Sequence, residues 1–210
     1  MAKNINDDYH LQFAAPLVRI ILGRFLYNAP LNLERSPDDF DTFLIMSIER
    51  MRPSVLSTSL SRDVNRNALL IERQWQNEWY RAAMTAVPMG TSINPDIGPA
   101  FGSSGFIDYY VNSNHHWGIE ILHKDQNMKE HYERFQQNCR YYVLPLNRWA
   151  IINFHHHMSK KVVRFENVWH VCYTDDFKTV TIQRFNKADI SLVLRGDELY
   201  QAGTITSVKV

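Results

Sequence analysis

Residues 106–135, FIDYYVNSNHHWGIEILHKDQNMKEHYERF, constrain this chain more than any other stretch. Residues 106–112 and 117–124 read as strands, and Asn112–Asn114 supply a hairpin turn between them. The spacing then switches to the helical period, so the segment reads as strand, tight connection, strand, helix. Asp108 lies in the first strand and Glu120 in the second. Lys124 closes the second strand, and His131 and Arg134 ride on the helix. Strand side chains alternate faces, which puts Asp108 with Tyr110, and Glu120 with Gly118, Leu122 and Lys124. An antiparallel hairpin then brings Asp108 and Glu120 onto one surface. Two uncompensated carboxylates there repel, so the pair calls for a divalent metal or a basic partner. Lys124 is a candidate to stabilise phosphate charge or orient water. Glu78, on the preceding helix, is a candidate third acid.

The flanking sequence places this unit. Residues 10–27 carry apolar positions at helical spacing, and Ser36-Pro37-Asp38-Asp39 reads as the start of a second helix that stops before Pro53. Residues 54–60 suit a short turn of helix, followed by a polar loop. A strong helix covers 67–86, with Leu70, Ile71, Trp75, Trp79, Ala82, Ala83 and Ala86 on one face, and Pro88 and Gly90 end it. Trp75 and Trp79 read as core. Strands are expected at 91–97, 106–112, 117–124, 140–144, 149–154, 162–165, 168–174, 180–185 and 191–195. Asp125 caps a helix over 126–137 whose inner face is Met128, Tyr132 and Phe135. This order predicts an α/β (α+β) layered fold with a mixed sheet. A soft boundary near 61–67 separates a helical extension, 1–66, packed on the core, from the main domain, 67–210.

Composition narrows the class. The chain has 210 residues, 45% of them hydrophobic and 12% aromatic, which suits a sizeable core and argues against disorder. Its formal charge is only +1, so any nucleic-acid surface must be a local patch. The first residues, MAKNINDDYH, do not read as a secretory signal, and the apolar run at 13–26 is too interrupted to span a bilayer. Cys139 and Cys172 match no zinc spacing and read as buried free thiols. His115-His116 read as turn residues. His155-His156-His157 lie in one strand, where consecutive side chains face opposite ways and chelate poorly.

ERQWQNEWYRA at 72–82, INPDIGPAFGSSGFIDYYV at 93–111, WGIEILHKDQNMKEHYERF at 117–135 and RYYV at 140–143 resemble the C-terminal domains of Crinkler effectors. The resemblance covers about residues 70–155. It implies a restriction-endonuclease-like (PD-(D/E)xK) nuclease core, Mg2+ or Mn2+ as cofactor, DNA as substrate and action in a host nucleus. It carries the helix acid onto Glu78, the strand acid onto Asp108 and the acid of the E-x-K strand onto Glu120. Leu122 stands where that motif has lysine. His123 stands where related domains often have arginine, with Lys124 next. His131 and Arg134 match polar positions of the following helix and, with Lys129, are candidate DNA contacts. No phosphate-binding G-x-x-x-x-G-K-[ST] loop is present.

Three functions follow from these readings. The first is a metal-dependent DNA endonuclease using Asp108, Glu120 and Glu78, assisted by Lys124 or His123. The second is a nucleic-acid-binding module on the same fold without turnover, which the displaced lysine favours. The third is an effector that engages host nuclear proteins, the fold being a scaffold. A homo-oligomer is compatible with all three, and none needs a membrane.

Overall fold

The computed structural model describes residues 39–62, 68–87, 91–112, 114–124, 127–157 and 163–202. The helix expected at 10–27, the Ser36-Pro37 start and the Asp125 cap lie outside them, as do Pro88 and Gly90. Helix α1 spans Phe40–Glu49. Asp39 is its cap, and its carboxylate accepts from the Thr42 N–H and hydroxyl, both at 2.8 Å. An aspartate so placed satisfies a backbone donor that the first turn leaves open.

Helix α2 (Pro53–Thr58) starts on a proline, where no backbone N–H is needed. Strands β1 (Ser61–Arg62) and β2 (Ala68–Leu69) pair as a small antiparallel ribbon where a loop was expected. Helix α3 (Glu72–Ala86) begins where the Gln74 side chain accepts from the Ile71 N–H at 2.9 Å and donates to the Ser59 carbonyl. It ends at Val87, whose extended backbone (ψ 142°) suits a residue preceding proline.

The remaining elements are β3 (Ile93–Ile97), β4 (Ile107–Val111), β5 (Trp117–His123), α4 (Met128–Glu133), β6 (Arg148–His156), β7 (Val168–Tyr173), β8 (Thr179–Arg184), β9 (Ile190–Val193) and α5 (Gly196–Ala202). Strands β3 to β9 form one seven-stranded sheet in chain order. The first three strands are antiparallel, β5, β6 and β7 are parallel, and β7 to β9 are antiparallel again. The fold is therefore a mixed sheet flanked by helices, of the α+β class. Every residue of β5 is buried, as befits a strand covered on both faces.

Helices α1 and α3 cover one face. Trp75 stacks on Phe154 with ring centroids 4.3 Å apart, and Trp79 donates from its indole N–H to Ser47 Oγ at 3.0 Å. Both indoles are fully buried, as the core reading expected. Phe40, Phe43, Leu44 and Ile48 of α1 share this cluster with Trp117 and Trp169 of the sheet. Each large side chain buried there contributes about 1.5–3 kcal/mol, which fastens residues 40–58 to the sheet. The other face is covered by α4 and the chain that follows it. Met128, Tyr132 and Phe135 pack on Leu122 and Ile151, with Phe135 stacked on Trp149 at 4.0 Å.

Several sequence expectations are corrected here. Residues 140–144 are turns, not a strand: the Tyr141 N–H bonds back to the Arg134 carbonyl at 2.8 Å, and Leu144 N–H to Tyr141 at 3.0 Å. The helix expected over 126–137 is helical only for Met128–Glu133 among the described residues, then continues in turns. Residues 163–165 form no strand. Cys139 is exposed and Cys172 half-buried, so neither is a buried thiol. Helix α5 was not foreseen. Its Gly196 donates to the Met51 carbonyl at 3.1 Å, and a Cβ there would run into the Arg50 and Met51 backbone.

Candidate active site at the parting of two strands

The β4–β5 ladder runs through Val111–Trp117 and Tyr109–Ile119 and then stops. At the next position the Asp108 carboxylate replaces the backbone partner: its Oδ2 accepts the Ile121 N–H at 2.8 Å. A side chain has taken a ladder hydrogen bond, so the strands part and leave a polar notch beside Glu120. The alternation of faces holds for Tyr109, Val111, Trp117, Ile119 and Ile121, which all enter the core under α1 and α3. Ile107, beyond the parting, joins Tyr110 on the opposite side.

Groups converge on this notch from three directions. From α3, the Gln76 amide donates to Asp108 Oδ2 at 3.3 Å and lies 3.4 Å from Glu72 Oε1. The His123 N–H also acts on the Glu72 carboxyl, lowering its pKa. From α4, His131 Nδ1 stands 2.5 Å from Glu120 Oε2, and the Arg134 guanidinium lies 3.8 Å from Oε1. From the turns beyond α4, the Tyr141 hydroxyl donates to Glu120 Oε1 and contacts the Phe106 carbonyl at 2.5 Å. Arg134 is held in turn by Glu130 at 2.8 Å.

Burial raises the Asp108 carboxyl to about 7, with Glu120 and Glu72 pushing the same way and the Ile121 N–H and His131 opposing. Glu72 is also raised, by burial first; His131 lowers it, Glu120 raises it and the His123 N–H lowers it. Burial and the Glu120 carboxylate keep the Tyr141 phenol above its ordinary range, so it remains a donor. Glu120 and Glu72 thus both act electrostatically on Asp108, which is held at the edge of ionisation near neutral pH. This is the pattern by which environments tune acid–base groups.

Among the residues singled out from sequence, Asp108, Glu120, His131 and Arg134 come together. The others do not. Lys124 is exposed, with a left-handed backbone (φ 61°), and its N–H bonds to the Phe154 carbonyl at 3.1 Å. The His123 ring lies in the core between Trp75 and Tyr173, and only its backbone reaches the notch. Burial, helped by Lys124 and His155, lowers that imidazole to about 4. Glu78 is locked by the Arg81 guanidinium at 2.7 Å and the Arg52 N–H at 2.7 Å. Lys129 is exposed and paired with Glu133 at 3.7 Å. Leu122 is buried under Met128.

Sequence reading missed Glu72, Gln76 and Tyr141. Residues four apart on a helix share a face, so Glu72 and Gln76 face the notch together while Glu78 faces α2. Tyr141 gave no signal, because 140–144 read as a strand. Beside Arg134 opens a cleft of about 450 Å³ lined by Ser103, Ser104, Glu130, Asn138 and Arg140. Its wall is braced by Ser103, whose hydroxyl contacts the Gly105 and Arg140 carbonyls at 3.0 and 2.7 Å.

The donor atoms of Asp108 and Glu120 are all oxygens, the ligand type that suits Mg2+ or Mn2+. Both described hydrogen bonds of Asp108 fall on Oδ2, whereas both oxygens of Glu120 are engaged, Oε1 by Tyr141 and Oε2 by His131, so Asp108 Oδ1 is the carboxylate oxygen of the pair with no described hydrogen bond. No family model, curated protein or solved structure matches the chain. Among the described residues, no helix is long and apolar enough to cross a membrane.

Proposed function

We propose that this notch is the catalytic centre of a metal-dependent nuclease cleaving DNA phosphodiester bonds on a restriction-endonuclease-like core. The observation that carries the reading is the Asp108 carboxylate at the parting of β4 and β5, facing Glu120 and Glu72 with His131 and Arg134 behind. Asp108 and Glu120 would hold Mg2+ or Mn2+, with Glu72 adding negative charge. When bound, such an ion lowers the pKa of a ligand water and neutralises phosphate charge.

The chain's own residues divide the remaining work. Glu120 Oε2 faces Nδ1 of His131, which orients the ring and leaves Nε2 to take a proton from an attacking water. Tyr141 holds the other oxygen of Glu120. Arg134, at the rim of the cleft, meets a phosphate oxygen. His131 and Arg134 thus do the work that the missing lysine would do. The resemblance to Crinkler effector domains supplies DNA as substrate and a host nucleus as site of action. Nicking of supercoiled plasmid in magnesium, abolished by chelator, is the expected result; cleavage that ignores chelator would remove the metal from this account.

A second reading keeps the fold and drops the chemistry. It is favoured by the buried Leu122 and by Lys124 standing outside the notch. A nucleic-acid- or protein-binding effector of this kind would bind DNA with a steep salt dependence, or bind a host protein, and would cut nothing.

A further inference from the structure

The geometry points to a second metal site, for a borderline transition-metal dication such as Zn2+, Co2+, Ni2+ or Cu2+, formed by His156, His157 and Asp175. Strand β6 ends at His156, and His157 already belongs to the turn beyond it. Strict alternation therefore stops where the argument against chelation needed it. His155 turns inward, 1% exposed and 2.9 Å from His170, and takes no part. His156 and His157 instead stay on the outside with ring centroids 4.4 Å apart. Nε2 of His156 is hydrogen-bonded to Asp175 Oδ1. One ligand atom from each of the three residues lies within 4.8 Å of the others.

The backbone holds these ligands in place. His156 pairs with Tyr173 across the parallel β6–β7 ladder, and the His157 N–H extends the pairing to the Tyr173 carbonyl at 2.8 Å. The His156 ring packs edge-on against Tyr173 at 5.7 Å. Asp175 sits in the β7–β8 turn, which is closed by Phe177 N–H to Thr174 at 2.9 Å and by Asp176, bonded to the Thr174 hydroxyl at 2.8 Å. Two imidazoles and a carboxylate are a three-ligand set that leaves a position for water, and imidazole selects these metals over Mg2+. Side-chain exposure of 34% for His156 and 85% for Asp175 gives an ion and its water direct access. The site lies at the carboxyl end of the parallel strands, the same edge of the sheet as the notch, with His123 and Tyr173 between them. It does not depend on the nuclease reading.

The test is titration of the full chain, any affinity tag removed, with Co2+ followed by its visible absorption and with Zn2+ by calorimetry, in the presence of excess Mg2+. We expect saturable binding that Mg2+ does not displace. His157→Ala and Asp175→Asn, both at exposed positions, should each weaken it about a hundredfold, since even a group that merely supports a ligand is worth 10–100-fold. Circular dichroism should show both variants folded. His115→Ala should bind as the wild type does. No saturable binding by the wild type, equal binding by the variants, or displacement by Mg2+ would overturn the proposal.

Discussion

His131 Nδ1 stands 2.5 Å from Oε2 of Glu120, a carboxylate that is 1% exposed and sits on β5, an interior strand of the sheet. The pairing ties a six-residue helix with little stability of its own to the most buried strand of the sheet. It also sets the tautomer of the ring. His131→Asn should keep a donor toward Glu120 but lose the proton acceptor. Cleavage should fall about a hundredfold to ten-thousandfold with DNA binding retained. Rates and binding isotherms measured on the same preparation would check this.

Asp108 sets a pH dependence of stability. Its folded carboxyl titrates near 7 against 3.8 in the free state, so between those values the folded protein binds the extra proton. Its contribution is therefore fully present below about 3.8 and is lost as pH rises through about 7. Asp108→Asn keeps an acceptor for the Ile121 N–H and never ionises. The variant should gain on the wild type across that window, by on the order of a few kcal/mol at about pH 8. Denaturant midpoints of the two proteins at several pH values would show it; a constant difference would contradict the assigned burial.

Glu78 is predicted to be a matter of stability. Glu78→Ala leaves Arg81 buried without its carboxylate and frees the Arg52 N–H. The loss should be about 3–5 kcal/mol in unfolding free energy. Whatever folded protein remains should cleave with an unchanged rate constant, and a specific loss of turnover would return Glu78 to the chemistry.

Lys124 carries its strain in the backbone. A non-glycine residue at φ 61° costs about 1 kcal/mol, so Lys124→Gly should raise the unfolding midpoint. Cleavage should hold within a fewfold, since the side chain is exposed and the notch has its own cations.

The hairpin was legible because a short turn signal at Asn112–Asn114 separates two strand-length stretches. The parallel half of the sheet was legible as strands, but its pairing was not, since period-2 patterning says nothing about neighbours. Strand parity put Asp108 and Glu120 on one surface as candidates. It could not show that Asp108 turns into the ladder, because that depends on a backbone donor 13 residues away. The resemblance carried the helix acid onto Glu78, and only packing shows that Glu78 meets Arg81 and Arg52 while Glu72 lies beside Gln76. His157 escaped because the end of β6 lies one residue short of it.

The most direct test is plasmid nicking in magnesium by the wild type and by Asp108→Ala, each purified identically and shown to be folded. The account predicts cleavage by the wild type, none by the variant, and DNA binding by both, since phosphate contacts do not need Asp108. Equal cleavage by both proteins would place the activity elsewhere, and no cleavage by either, with binding intact, would leave the fold as a nucleic-acid-binding module.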